Sequence, residues 1–167
     1  MHTFNTIFTP FGIILVIFAV IFSQPEKKDT ILSIATLTFQ FVVNYYMSKN
    51  IYHFPKPQVL RKILVMFNII TTSVVFYLLQ SYWAPVWLLY TMPSIFASTF
   101  LTTRQTILFS VISASLMLLA YYIKAFILDI ELSPTIITMA LCHSLFIIAV
   151  SVFVNTLCEA IVKIRKI

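Results

Sequence analysis

Apolar residues come in six long runs separated by short polar segments. The runs cover roughly 4–22, 30–47, 63–79, 84–101, 106–123 and 135–157, each near the ~20 residues a helix needs to cross a hydrocarbon core. Ser23 to Asp29 (SQPEKKD) is a polar turn. Ser48 to Lys62 carries Lys49, Lys56, Arg61 and Lys62, with Pro55 and Pro57 blocking a continuous helix. Gln80 to Trp83 and Thr102 to Gln105 are tight breaks, and Lys124 to Pro134 holds Lys124, Asp129 and Glu131. Pro10 and Gly12 weaken the first run near its start, which membrane helices tolerate. That run lacks the basic start and small-residue cleavage site of a secretory signal. The pattern predicts an all-α integral membrane protein, a single domain over residues 1–167 built as a bundle of about six transmembrane helices.

Composition strengthens this reading. Sixty per cent of the residues are hydrophobic and 10% are charged, where a soluble domain carries about 25% charged residues. Too few polar side chains exist to cover a water-facing surface, so lipid is the expected solvent.

Charge adds an orientation. If the runs alternate in direction, one side holds Lys49, Lys56, Arg61, Lys62, Arg104, Lys163, Arg165 and Lys166, and the other only Lys27, Lys28 and Lys124. The richer side is expected to be cytoplasmic, with both termini there. Tyr45 and Tyr46 then mark a cytoplasmic interface, and Tyr82, Trp83, Trp87, Tyr121 and Tyr122 an outer one. The net charge of +6 is explained by orientation and anionic lipid. No basic face is visible, and no nucleic-acid partner is expected.

Candidate chemistry is sparse. The runs contain no Asp, Glu, Lys or Arg away from their ends, which argues against pumps and ion-coupled transporters. His143 is the one ionisable side chain deep in a run. It is read first as a neutral interhelical hydrogen-bonding residue, for which Gln40, Asn44, Asn68 and Asn155 are available partners; pH sensing and metal ligation are its other readings. Cys142 and Cys158 read as small buried apolar side chains. No CxxC or Cys/His array accompanies them, so no metal and no cofactor is expected. Membrane peptide-processing proteases of the accessory-gene-regulator type are similar in size and basicity but place His before Cys, whereas here Cys142 precedes His143. The chain is read as non-catalytic.

The fourth run carries the strongest pattern. Trp83, Trp87 and Tyr90 stand at i, i+4 and i+7, one face of an α-helix. Pro93 is expected to kink that helix. Such a face, with His143, could line a pocket for a small apolar or amphipathic ligand. Its alternative reading is an interfacial belt. Ser94 and Ser98, Ser110 and Ala114, and Ala140 and Ser144 are small-xxx-small pairs that predict close helix packing. At the C-terminus Leu157, Ile161 and Ile164 form an apolar stripe on a helix with no stop signal. It could continue into a homodimeric coiled coil or lie on anionic lipid.

The stretch Trp83 to Gln105 (WAPVWLLYTMPSIFASTFLTTRQ), with Pro93 and Ala97 in mid-span, Arg104 in the following turn, and the exit helix, resembles the six-span N-terminal sensor regions of bacterial sensor histidine kinases and related membrane receptors. The resemblance implies a sensing and signal-transduction module in a bacterial inner membrane. A ligand or membrane property would act on the outer halves of spans three to five, and span six would pass the change to a dimer partner. Any kinase activity would belong to a region outside these 167 residues. The competing expectations are a small-molecule permease, a membrane subunit of a multi-component transporter, and a structural subunit of a membrane complex.

Overall fold

The computed structural model describes residues 2–128 and 133–164, without the side chains of residues 2–9, 52 and 84. The predicted loop residues Asp129 and Glu131 and the tail residues Arg165 and Lys166 lie outside it. Six α-helices carry the described chain, with no strand among the described residues: α1 (His2–Ser23), α2 (Lys27–Lys49), α3 (Pro57–Leu79), α4 (Thr91–Phe100), α5 (Thr103–Ile127) and α6 (Pro134–Ile164). By length and composition α2, α3, α5 and α6 can each cross a membrane.

Local chemistry explains the ends. Gln24 adopts φ 45° after α1, its N–H donates to Val20 O at 3.1 Å, and Pro25 follows, as at many helix C-termini. Asp29 in the first turn and Lys49 in the last turn of α2 complement its dipole. Pro57 opens α3, where its missing N–H costs nothing. Helices α2, α3, α5 and α6 extend beyond the apolar runs into the flanking polar residues.

The fourth run departs from expectation. It is not one kinked helix over 84–101. Ala84–Tyr90 is a 3-10 helix and only Thr91–Phe100 is α-helical. Pro93 has no N–H to close onto Leu89 O, and its ring would crowd that carbonyl. The α-helical ladder therefore starts at Thr91, with Pro93 in its first turn.

Burial runs opposite to that of a water-soluble bundle. Helix α2 buries Ser33, Asn44 and Ser48 while exposing Ile31, Phe39, Val42 and Tyr46. Helix α6 buries Ala140, Ser144, Ser151 and Asn155 along with Ile147, and leaves Leu145 and Phe153 67% and 64% exposed. In these two helices most large apolar side chains turn outward and small polar ones inward. Exposed threonines are satisfied within their own helices: Thr36, Thr38, Thr138 and Thr156 each donate to the carbonyl four residues back. An apolar solvent rewards this arrangement and water does not.

Two apolar clusters fill the interior. One joins Leu15, Val16 and Ala19 of α1 to Phe76 and Leu79 of α3, to Leu89 and Tyr90, and to Met117 and Ile147. The other joins Ile51, Leu64, Val65 and Ile69 to Phe96, Ala97 and Leu101. Helix α6 packs on α5 and α4, where the predicted small pairs Ser94/Ser98, Ser110/Ala114 and Ala140/Ser144 are all buried.

Candidate functional site

The segment carrying the predicted aromatic site begins at Trp83, whose backbone is extended at φ −145° and ψ 105°. The 3-10 segment starts only at Ala84 and has three residues per turn, so Trp83, four residues before Trp87, leaves the α-helical face assumed for Trp83, Trp87 and Tyr90. Their environments diverge. Trp83 is half-buried against the first cluster. Trp87 meets α6. Tyr90 is completely buried against α3.

Trp87 and His143 are brought together. Their rings stack with centroids 4.2 Å apart and planes 13° from parallel. Phe146, one turn further along α6, meets Trp87 edge-on at 5.4 Å. Phe146 was not singled out from the sequence, although its i+3 spacing from His143 was there to be read. Half of the His143 side chain is covered, and Nδ1 has no hydrogen-bond partner among the described residues. The expected amide partners of His143 are engaged elsewhere. Gln40 Nε2 and Asn44 Nδ2 donate to Asn68 Oδ1 at 3.0 and 2.6 Å, tying α2 to α3. Asn155 Nδ2 donates to Ser98 O at 3.2 Å, tying α6 to α4.

Tyr90 makes a different set of contacts. Its hydroxyl donates to Ser73 Oγ at 2.9 Å, and Ser73 Oγ donates to Ile69 O at 2.8 Å. Phe76 packs edge-on against both Tyr90 and Tyr121, with centroids 5.4 and 5.3 Å away. Tyr90 is thus a core residue with a hydrogen-bonded hydroxyl rather than a pocket wall. Of the four predicted ligand-binding residues, Trp87 and His143 form one unit, while Trp83 and Tyr90 lie beside it in separate surroundings.

Polar contacts define the two ends of the bundle. At one, the Tyr82 hydroxyl donates to Asp29 Oδ2 at 3.1 Å. Burial, then the bond to Asp29, raises the Tyr82 phenol above its ordinary value, so it remains a neutral donor. Lys124 Nζ donates to Tyr77 O at 2.8 Å and stands over the Tyr77 and Tyr82 rings at 5.2 and 5.9 Å. At the other end Thr103 donates to Glu159, and the Arg61 guanidinium lies 6.0 Å from the Phe100 ring centre.

The two cysteines correct an expectation. Cys142 is exposed and Cys158 half-exposed, both as free thiols: Cys142 faces away from the inward serine face of α6, and Cys158 sits at the end of that face, three residues past Asn155. No group of three or more His, Cys, Asp or Glu side chains converges among the described residues. Two apolar grooves open on the surface, one between α3 and α5 with a volume of about 220 Å³ and one between α5 and α6 of about 100 Å³. Neither is lined by Trp83, Trp87, Tyr90 or His143. Comparison with protein-family models, with curated proteins and with solved structures gives no match, so function is argued from geometry.

Proposed function

We propose that this chain is the membrane-embedded sensing module of a bacterial receptor, crossing the inner membrane six times with both termini in the cytoplasm. The observation that carries the reading is the Trp87–His143 stack, which joins an irregular segment directly to α6. Helix α6 is too long for its task if that task is only to span. Its 31 residues rise about 46 Å, against a hydrocarbon core of about 30 Å. The surplus leaves the bilayer on the Thr103 side with Leu157, Ile161 and Ile164 exposed at 47%, 53% and 70%. Displacement of Trp87 is then a displacement of a lever that reaches past the membrane.

The broken fourth segment suits a sixth crossing despite its shortness. Seven residues of 3-10 helix rise about 14 Å and ten of α-helix about 15 Å, together close to the hydrocarbon thickness. The α1 helix, at 22 residues, is long enough as well. On this topology Lys49, Lys56, Arg61, Lys62, Arg104 and Lys163 share the cytoplasmic side. A small apolar or amphipathic ligand, or a change in the bilayer, acts at the Trp87–His143 unit. The bundle then moves between two arrangements, and α6 transmits the change to a second copy.

The test joins α6, in helical register, to the cytoplasmic core of a dimeric histidine kinase and measures autophosphorylation in vesicles. An aromatic stack is worth about 0.5–1.5 kcal/mol, so Trp87→Ala is expected to shift output about two- to tenfold. Leu145→Ala, 67% exposed and about 200° around α6 from His143, is the comparison and is expected to leave it unchanged. Equal output from both variants and the parent sinks the sensing reading.

A further inference from the structure

The groove between α3 and α5 lies outside the proposed sensing unit. Its walls are largely apolar: Val74 from α3, and Leu116, Leu119, Ala120 and Ile123 from α5, with Ser73 and Tyr77 of α3 as the hydroxyl-bearing residues. Its volume of about 220 Å³ exceeds what a few methylene groups need. Its lining covers about two turns each of α3 (residues 73–78) and α5 (residues 116–123), enough for one segment of an acyl chain. Lys124 follows Ile123 at one end and donates to the carbonyl of Tyr77, another wall residue, at 2.8 Å.

That ammonium is the chemical clue. Its partner is an uncharged carbonyl, which uses one of three donors. The nearby carboxylate of Asp29 is turned to the Tyr82 hydroxyl at 3.1 Å. Nζ stands over the rings of Tyr77 and Tyr82 at 5.2 and 5.9 Å, within reach of a cation–π contact. A cation at the mouth of an apolar furrow complements one class of molecule, with an anionic head and a long apolar tail.

We propose that the α3–α5 groove binds a single anionic phospholipid, a segment of an acyl chain lying in the groove and the phosphate held by Lys124. The proposal rests on the membrane part of the function argued above and not on its sensing part. It also supplies a route between them. Ser73 in the groove wall accepts the hydrogen bond from Tyr90, the residue that closes the 3-10 segment bearing Trp87. A chain seated in the groove presses on the residue that anchors this segment.

The experiment is native mass spectrometry of the full chain in detergent, titrated with phosphatidylglycerol and, separately, with phosphatidylcholine. The parent is expected to bind a first phosphatidylglycerol more tightly than a first phosphatidylcholine. A lysine near an anionic headgroup contributes about 1 kcal/mol, so Lys124→Gln is expected to weaken phosphatidylglycerol about fivefold and erase the preference. Lys124→Arg keeps it. Leu116→Trp, which fills the groove, weakens both lipids, and Lys28→Gln, an exposed lysine at the same end of the bundle, changes neither. Free glycerophosphate is expected not to compete. The proposal is overturned if Lys124→Gln retains the preference, if Lys28→Gln loses it equally, or if glycerophosphate displaces the lipid. Failure of the chain to float with phosphatidylcholine vesicles overturns the membrane reading too, whereas loss of lipid preference with normal kinase-fusion output removes only this site.

Discussion

At the Tyr82 end of the bundle, rings meet rings around the segment bearing Trp87, while α3 and α5 are tied by Lys124 Nζ to Tyr77 O at 2.8 Å and Gln80 Nε2 to Ala120 O at 3.2 Å. Trp87 stacks on His143, and Phe76 packs edge-on against Tyr90 and Tyr121. Towards the Thr103 end they meet donor to acceptor. Ser98 Oγ donates to Ser151 O at 2.8 Å, Thr106 Oγ1 to Ala97 O at 3.2 Å, and two amides share Asn68 Oδ1. Apolar burial drives little association when the solvent is itself apolar. Ring contacts are broad and tolerate sliding, whereas hydrogen bonds fix register because a slipped donor is left unpaired in a dry interior. The contact of the Trp87 segment with α6, made through rings, is therefore the one suited to move, and the hydrogen-bonded α4–α6 and α2–α3 contacts are suited to hold.

The largest expected effect tests the ring-packed half. Tyr90→Ala empties a fully buried aromatic position and is expected to lower stability by about 3 kcal/mol. Tyr90→Phe removes only the bond to Ser73 and should lose about 1 kcal/mol. Thermal unfolding of the purified protein in detergent reads both. Near-equal losses would mean that the hydroxyl, and not the ring, holds this half, and the comparison would collapse.

How far the sequence already foretold these halves depends on the kind of signal. Amides inside apolar runs are conspicuous, so Gln40, Asn44, Asn68 and Asn155 could be picked out as interhelical donors and acceptors. Their partners could not, because partnership depends on which helices are neighbours. The small pairs of α4, α5 and α6 were readable for the same reason, since little else explains serine and alanine at four-residue spacing in lipid. The ring-packed half was misread at one step. Spacing of i, i+4 and i+7 defines a face only at 3.6 residues per turn, and prolines at positions 85 and 93 shift this stretch to 3-10 geometry. Trp83 therefore leaves the shared face, Tyr90 is buried against α3 where the 3-10 segment gives way to α4, and Trp87 reaches His143, which sequence spacing alone could not pair. Cys142 and Cys158 were misplaced because cysteine carries no directional signal. Cys142 is exposed because it faces away from the serine stripe of α6, a direction visible only once the helix is seen docked, whereas Cys158 continues that stripe and is half-covered.

The next effect probes the hydrogen-bonded half. Asn68→Ala takes away the oxygen that accepts from both Gln40 and Asn44, and is expected to lower stability by about 1–2 kcal/mol. A double-mutant cycle of Asn44→Ala with Asn68→Ala should give a coupling near 0.6 kcal/mol, and no more than about 1.7. Zero coupling would remove these amides from the set of contacts that fix register.

A gain is expected where the 3-10 segment touches α1. Gly12 lies against Leu89 of the 3-10 segment, and a Cβ added there would sit 3.7 Å from Leu89 Cδ2, an ordinary contact. Gly12→Ala should therefore raise stability by about 0.5–1 kcal/mol through helix propensity. A loss instead would show that the 3-10 segment is packed too closely against α1 to slide.

The smallest effect is the most discriminating. Ser98 Oγ donates to Ser94 O and to Ser151 O, each at 2.8 Å, so one hydroxyl proton is shared between its own helix and α6. The backbone oxygen of Ser98 also accepts from Asn155 at 3.2 Å, and a side-chain change leaves that bond in place. Ser98→Ala thus removes one branch of a doubly tied junction and should lower stability by about 0.5 kcal/mol. Asn155→Ala removes the other branch at a similar loss, and the double variant should fall further than the two combined, because each bond now holds the register for the other. Simple additivity would mean that α4 and α6 are registered by packing alone. The distinction between contacts that hold and contacts that move would then have no chemical basis at this end.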